Sequence, residues 1–147
     1  MLIGQYTVKL GEKGRVLLPK KFRSILGERV IVTLGFEGSI MIVAQSSWQS
    51  LIKEMVNKSF LQVNIRDIQR YLLGEATEVE LDKIGRFVIP EYLRKFGEIK
   101  NEIVFVGVER YVEMWDEKKW NEHQTKINKG IEEIAASVMK SLGDDHE

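Results

Sequence analysis

The chain has no cysteine, and only two histidines and two prolines occur among its 147 residues. Without cysteine there can be no disulfide, no thiolate nucleophile and no cysteine-based zinc site. The two histidines, His123 and His146, lack the four-residue spacing of a helical metal pair, and we interpret His123 as a surface residue. We therefore expect neither a metal site nor a cofactor.

Net charge and long apolar runs are also missing. The 22 Lys and Arg residues balance 22 Asp and Glu residues, which argues against an indiscriminate polyelectrolyte binder but leaves a polarised one open. No apolar run approaches the roughly 18 residues of a membrane span, and residues 1–13 lack the layout of a signal peptide. We therefore expect a cytoplasmic location. With 44% apolar and 30% charged residues, the composition predicts one compact soluble body of single-domain size.

The two prolines mark an internal repeat. Pro19 and Pro90 lie 71 residues apart, and Leu, Gly, Arg, Pro and Arg recur at this offset in residues 10–23 and 81–94. Beyond one inserted residue, the match resumes at an offset of 72. We therefore expect three segments: a first repeat (1–60), a connecting helix (61–76) and a second repeat with a long C-terminal helix (77–147).

Each repeat predicts the same order of elements: a hairpin, a short helix, a second hairpin and another helix. Alternation and a glycine-containing turn over residues 6–18 predict the first hairpin, with Gly14 in the left-handed region. Pro19 is expected at the entry of the short helix, which is predicted to run from Lys20 to Leu26 and to end at Gly27. Ser46 or Ser47 is expected to cap the helix that follows the second hairpin.

The second repeat ends in a long predicted helix, which Asp116 is expected to cap. Its apolar residues keep a spacing of three and four; they are Trp120, Ile127, Ile131, Ile134, Val138 and Leu142. Such a stripe either covers the core of its own chain or meets a neighbouring subunit. Trp48 and Trp120 occupy equivalent repeat positions, so packing explains them more simply than stacking on bases does.

A glycine-arginine turn between two strands occurs twice, at residues 14–15 and 85–86. Its simplest explanation is a turn glycine followed by an arginine that pairs with a nearby carboxylate such as Asp82. The surrounding charge favours an anion-binding surface instead. Residues 1–29 hold seven basic and two acidic residues (+5), residues 30–97 hold eight of each, and residues 98–147 hold seven basic and twelve acidic residues (−5). A cationic segment on a folded body is typical of a protein that binds the phosphate backbone.

The pattern Leu-x-x-x-Gly-Arg-x-x-x-Pro-x-x-x-Arg in each repeat resembles the SpoVT-AbrB superfamily of bacterial DNA-binding proteins. Two copies in one chain, the start Met-Leu-Ile-Gly-Gln-Tyr and the stretch Gly-Val-Glu-Arg-Tyr-Val-Glu-Met-Trp at 107–115 are similar to the MraZ family. The resemblance implies a mainly β fold with α-helices (α+β), in which the two repeats form an intramolecular swapped-hairpin β-barrel with outer helices. It also implies ring-shaped homo-oligomers, octamers or larger.

The function implied by this resemblance is sequence-specific binding to direct repeats in promoter DNA. The chain would act as a repressor of its own division and cell wall operon, and it would be associated with the nucleoid. The alternative is a ring-forming protein-interaction module, such as an antitoxin-like partner, whose basic hairpin binds an acidic protein. We expect no small-molecule ligand and no membrane partner.

The resemblance also implies which residues meet DNA. Its Asp-x-x-x-Arg motif is complete in the second repeat, at Asp82 and Arg86, whereas the first repeat keeps Arg15 and has Gly11 in place of the aspartate. Arg15 is the first candidate for base or phosphate contact, because arginine can bind guanine through two hydrogen bonds, and Arg86 is the second. The turn glycines are Gly14 and Gly85. The other candidates for DNA contact are Lys13, Arg23, Lys20, Lys83 and Arg94.

Several enzyme signatures are missing. The chain has no phosphate-binding loop of the Gly-x-x-x-x-Gly-Lys type, no Gly-x-Ser-x-Gly and no His-Glu-x-x-His. No nucleophile and base can be paired from the sequence. We therefore expect no catalytic residue and no enzyme, and we expect the DNA-binding surface to lie on residues 9–29, with the acidic end turned away from the phosphates.

Overall fold

The computed structural model describes residues 1–56 and 60–144. Within them the chain is a mixed α and β protein with eight strands and five helices. In chain order these are β1 (Leu2–Lys9), β2 (Arg15–Leu17), α1 (Lys20–Leu26), β3 (Arg29–Leu34), β4 (Ile40–Ala44), α2 (Gln45–Met55), α3 (Val63–Gly74), β5 (Thr77–Glu80), β6 (Arg86–Val88), α4 (Glu91–Phe96), β7 (Glu102–Glu109), β8 (Val112–Asp116) and α5 (Glu117–Asp144).

The two halves of the chain exchange strands. β1 pairs antiparallel with β7, from the second half, and its counterpart β5 pairs antiparallel with β3, from the first half. The hairpins β3–β4 and β7–β8 form as predicted and join through β4 and β8. The resulting sheet has the strand order β1-β7-β8-β4-β3-β5. The first strand of each repeat therefore extends the sheet beside the other repeat's second hairpin.

The remaining strands, β2 and β6, form a separate two-stranded ribbon. Its antiparallel ladder pairs Arg15 with Val88, Val16 with Phe87 and Leu17 with Arg86. The N–H groups of Leu18 and Ile89 extend the ladder by donating to the carbonyl groups of Gly85 and Gly14 at 3.0 and 2.9 Å. The carbonyl group of each turn glycine therefore accepts a hydrogen bond from the residue that follows the ribbon strand of the other repeat.

The sequence predicts β1 and β2 as the two strands of one hairpin, and this pairing is wrong. The turn between them does close, because the N–H of Gly11 donates to the carbonyl of Arg15 at 2.8 Å, but their ladder partners are β7 and β6. Alternation identifies a strand without identifying its partner. In the described part of the chain, β1 and β5 are the edges of the six-stranded sheet, so no ladder closes that sheet into a barrel.

Two hydrophobic clusters lie on opposite faces of the sheet. All five residues of β4 are buried, because successive side chains point to opposite faces and a hydrophobic cluster covers each face. Ile40, Ile42 and Ala44 belong to the first cluster, and Met41 and Val43 belong to the second. The first cluster includes residues of the ribbon, α1 and α4, whereas the second includes residues of α2 and α3. The ribbon and the α2–α3 pair therefore lie on opposite faces.

The first short helix has the predicted bounds, Lys20–Leu26, whereas the helix after the second hairpin starts earlier than predicted. Pro19 and Pro90 have ψ values of 135° and 138°, so each is the N-cap of its helix. α2 begins at Gln45, so Ser46 and Ser47 lie inside its first turn instead of capping it. In both short helices proline still contributes its restricted φ at the entry, where its missing N–H costs nothing.

The long helix α5 starts as predicted, because Asp116 directly precedes it. Nearly all of α5 belongs to a second compact unit that begins at Lys118, while Met1–Glu117 form the first. Along α5, four apolar residues of the predicted stripe are 47–52% exposed: Ile131, Ile134, Val138 and Leu142. These four side chains of the stripe are therefore exposed on α5. None of the described helices is both long and apolar enough to cross a membrane.

Candidate nucleic-acid interface

The outer face of the β2–β6 ribbon carries four exposed side chains, two from each strand. Directly opposed residues in an antiparallel pair lie on the same face, so Arg15 lies beside Val88, and Leu17 lies beside Arg86. The central pair of the ladder is buried in the first cluster, where each large apolar side chain contributes about 1.5–3 kcal/mol. Burial of this pair holds the outer face of the ribbon toward solvent.

In the second turn, Asp82 positions the backbone and orients Arg86. Its Oδ1 accepts hydrogen bonds from the N–H groups of Ile84 and Arg86 at 3.0 and 2.8 Å, and its Oδ2 accepts one from Arg86 Nε at 2.8 Å. The bond from the Arg86 backbone is the largest of the causes that lower the pKa of Asp82 from 3.8 to about 2. The ion pair leaves the Arg86 side chain 43% exposed, so Arg86 is braced and still accessible.

The first turn has a different conformation, and no aspartate braces it. Lys13 has φ 59° and ψ 29°, and Gly14 follows with φ 74°. The N–H of Arg15 donates to the carbonyl of Glu12, so this is a type I′ turn with two consecutive left-handed residues. A Cβ atom on Gly11 would lie 3.0 Å from the carbonyl oxygen of Arg15. An aspartate therefore does not fit position 11 unless the turn shifts.

Arg15 is less constrained than Arg86. Its side chain forms no hydrogen bond or ion pair with any residue that the structure describes, and the missing carboxylate at Gly11 accounts for this. An exposed guanidinium without an internal partner keeps all five of its donors available to a ligand. The two arginines of the ribbon therefore differ: one is oriented in advance by Asp82, and the other is not.

Arg23 and Arg94 each lie against the turn of the other repeat. Arg23 Nη1 donates to the carbonyl of Ile84, and its side chain occupies the space that a Cβ atom on Gly85 would need. In the reverse direction, a Cβ atom on Gly14 would lie 3.1 Å from Arg94 Nη1. Both arginines are partly buried. Arg23 is bonded to the second turn, Arg94 lies next to the first, and the contact of either arginine with DNA stays a prediction.

The other predicted residues lie near the ribbon and are exposed. Lys13 and Lys83 are in the two turns, and Lys20 is the first residue of α1. Beside the ribbon is an open concavity of about 740 Å³. Its charged lining residues are Arg15, Lys83, Arg86, Glu28, Glu80 and Asp82. The structure thus brings both ribbon arginines and Lys83 to one concavity, where both signs of charge occur.

Sequence reasoning missed two exposed residues of the ribbon. Leu17 is 45% exposed and Val88 is 52% exposed, and both share the outer face with the arginines. The signal was present, because each follows its arginine by two positions and a strand places such residues on the same face. The sequence analysis placed both residues in strands without assigning them to a face.

The tryptophans do not form an exposed surface for stacking bases. Trp48 packs against the second cluster, and Trp115 and Trp120 are buried. Among residues 1–56 and 60–144, no three His, Cys, Asp or Glu side chains come together in a way that could hold a metal ion.

Comparison with known proteins identifies the family. A family model described as "MraZ protein, putative antitoxin-like" matches the chain twice, over residues 1–71 and 72–141. A protein of Halothermothrix orenii is 34% identical over 97% of this chain and 99% of its own length. A protein of Caldanaerobacter subterraneus subsp. tengcongensis is 34% identical over 92% of this chain and 94% of its own length. A protein of Syntrophomonas wolfei subsp. wolfei is 32% identical over 95% of this chain and 97% of its own length. All three are named "Transcriptional regulator MraZ", which is the name of a regulator and not of an enzyme. The chain therefore belongs to the MraZ family.

Proposed function

We propose that the chain is a sequence-specific DNA-binding transcriptional regulator whose β2–β6 ribbon enters the major groove. The observation that carries this proposal is the pair of exposed arginines on the outer face of that ribbon, one from each repeat. The names of the relatives support the regulatory role. The geometry supports DNA as the ligand, by the steps that follow.

A two-stranded ribbon has suitable dimensions for the major groove. The groove is about 12 Å wide and admits such a ribbon, whose strands lie about 4.8 Å apart. Arg15 and Arg86 are diagonal neighbours in the ladder, which separates them by roughly 7–8 Å. Arginine is the side chain best suited to two hydrogen bonds with guanine O6 and N7. The ribbon therefore presents two candidate base-reading groups to one short stretch of duplex.

The lysines around the ribbon are suited to phosphate contact. Lys13, Lys20 and Lys83 are exposed. Contacts between lysines and phosphates fix the register of a protein on DNA without reading its sequence. The carboxylates in the concavity oppose phosphate approach there, so we place the phosphates over the turns and the start of α1. Because Arg15 has no partner among the residues that the structure describes, it loses no ion pair with them on binding, and we propose it as the leading contact.

We also propose that the chains assemble into rings, octamers or larger, that bind a series of direct repeats. The exposed apolar stripe on α5 supports this, because contiguous exposed apolar residues mark interaction surfaces. Native mass spectrometry of wild type and of the double variant Ile134→Ser, Val138→Ser tests it. A monomeric wild-type protein would contradict assembly, and an unchanged ring in the variant would place the interface elsewhere.

The exchanged strands support the further proposal of a swapped-hairpin barrel. β2 and β6 follow the two edge strands, β1 and β5, directly through the turns, so the ribbon is placed in sequence to bridge those edges. The division into residues 1–60, 61–76 and 77–147 likewise remains a proposal.

We propose repression of the chain's own division and cell wall operon, and a cytoplasmic location on the nucleoid. A promoter–reporter fusion tests the direction of regulation, since loss of the protein should raise expression.

The experiment that tests the function is selection of bound DNA from a random pool of duplexes by the purified full-length protein. We expect enrichment of one short sequence in direct repeats at fixed spacing, because linked sites gain affinity only when the geometry allows simultaneous binding. Failure to retain any duplex at low salt would overturn the proposal. That outcome would favour the acidic protein partner, a possibility consistent with the words "antitoxin-like" in the family description.

A further inference from the structure

The outer face of the ribbon is unusual because half of its exposed residues are aliphatic. Leu17 and Val88 are 45% and 52% exposed, on strands of only three residues each. Single exposed aliphatic residues are common on protein surfaces. Here, however, the two occupy equivalent positions in the two repeats, and each lies beside an arginine of the opposite strand.

The geometry of the ribbon ties each aliphatic residue to an arginine. Along one strand, Arg15 and Leu17 are separated by roughly 7 Å, at about 3.4 Å per residue. Successive nucleotides of one DNA strand are also about 3.4 Å apart. With a strand of the ribbon running along the groove, an arginine and the aliphatic residue two positions later face bases about two steps apart. The same relation holds for Arg86 and Val88.

The chemistry of the major groove includes one apolar group that such a residue can recognise. Thymine presents its C5-methyl group there, whereas the other bases present hydrogen-bond donors and acceptors at their edges. Leu17 and Val88 offer neither donors nor acceptors from their side chains. An aliphatic side chain held against the groove can gain contact only with an apolar group.

We propose that Leu17 and Val88 are specificity-determining residues that contact thymine C5-methyl groups in the DNA bound by the ribbon. This inference rests on the proposed function, because it requires that the ribbon enters the major groove. Arg15 and Arg86 read guanine, and each aliphatic neighbour adds a preference for thymine about two steps away. The same pair of contacts is repeated by both strands of the ribbon.

The test uses the duplex recovered from the random pool, with its thymines replaced by deoxyuridine one at a time and all together. Deoxyuridine keeps the hydrogen-bonding groups of thymine and lacks only the methyl group. Burial of one methyl-sized group corresponds to about a fourfold change in affinity, so two contacts correspond to about fifteenfold. We expect wild type to lose affinity by these factors, at the one or two positions that the ribbon contacts.

A matched set of variants distinguishes direct contact from an effect on DNA shape. The double variant Leu17→Ala, Val88→Ala should bind the thymine and deoxyuridine duplexes equally. The control variant Val108→Ala removes an aliphatic residue of similar exposure, 38%, from a strand outside the ribbon, and it should keep the wild-type discrimination. All three changed residues are exposed, and circular dichroism checks that each variant is folded.

Three results would overturn the inference. If wild type binds the thymine and deoxyuridine duplexes equally, there is no contact with the methyl group, and the proposed function is unaffected. An equal loss with deoxyuridine in wild type and in the double variant would assign the effect to DNA shape. A change of oligomer size in the double variant, with discrimination kept, would assign these residues to contacts between chains. Absence of any duplex binding by wild type would instead overturn the proposed function, and this inference with it.

Discussion

The contact between Arg23 and the second turn makes a quantitative prediction about Gly85. Gly85 has φ 94°, and an L-residue in a left-handed conformation costs about 1–2 kcal/mol. A Cβ atom there would also overlap the Arg23 guanidinium. Arg23 would have to move and lose its bond to the carbonyl of Ile84, which is worth about 1 kcal/mol. We therefore expect Gly85→Ala to lower the free energy of unfolding by about 2–3 kcal/mol.

The two contributions separate in a double-mutant cycle. Arg23→Ala alone should cost about 1 kcal/mol. In that background the alanine at position 85 meets no guanidinium, so Gly85→Ala should then cost only the backbone strain of about 1–2 kcal/mol. The double variant should therefore be no less stable than Gly85→Ala alone. The expected coupling of about 1 kcal/mol exceeds the usual scatter of additivity, about 0.3–0.5 kcal/mol.

The assay is urea denaturation followed by circular dichroism at one fixed protein concentration, because assembly makes stability depend on concentration. The control cycle combines Gly85→Ala with Arg70→Ala, which removes an exposed arginine paired with Asp67 on α3; it should be additive. The parallel cycle of Gly14→Ala with Arg94→Ala should show weaker coupling, since a Cβ atom there would lie 3.1 Å from the guanidinium. Full additivity of Gly85→Ala with Arg23→Ala would refute the contact between repeats.

Three further predictions test other parts of the structure. Lys13→Asn should raise the free energy of unfolding by up to about 1 kcal/mol, because asparagine tolerates the left-handed conformation of a type I′ turn; denaturation should show no gain if Lys13 is unstrained. The pKa of Asp82 is lowered to about 2 from 3.8, so its carboxylate stabilises the fold above about pH 4 and this contribution is lost as the pH falls through about 2. Acid titration should therefore show wild type more stable than Asp82→Asn near neutrality and the two converging near pH 2, whereas a constant difference would contradict the shift. Thr33 is fully buried and its Oγ1 donates to the carbonyl of Leu72 at 2.7 Å, so Thr33→Val should destabilise by about 1–3 kcal/mol, and unchanged urea denaturation would refute this.

Much of the interface could be predicted because its signals are local. The repeated glycine-arginine pattern located both turns, and Gly14 and Gly85 have the positive φ that such turns require. Asp82 and Arg86 are four residues apart, and their ion pair was among the interpretations that the sequence offered. These features depend on backbone conformation over a few residues, which residue type constrains directly.

The long-range features could not be predicted from pattern alone. Arg23 and the carbonyl of Ile84 are 61 residues apart, and basic residues of a short surface helix are more often solvated or bound to phosphate. The partners of β1 and β2 were missed for the same reason: alternation carries no information about pairing. Leu17 and Val88 were missed because aliphatic strand residues are usually core. The resemblance to the MraZ family implied exchanged hairpins, whereas the residues alone predicted local ones.

The central claim is that the outer face of the ribbon binds DNA, and the affinity of Arg15→Ala tests it most directly. Fluorescence anisotropy with the selected duplex, over a range of salt concentrations, compares wild type with Arg15→Ala and with the control Arg70→Ala, whose residue lies on α3, on the face opposite the ribbon. We predict that Arg15→Ala loses about 1–3 kcal/mol of binding free energy if Arg15 reads a base, or lowers the salt slope by about 1 if it binds phosphate. The control should match wild type. A folded Arg15→Ala protein with wild-type affinity and salt slope would contradict the account.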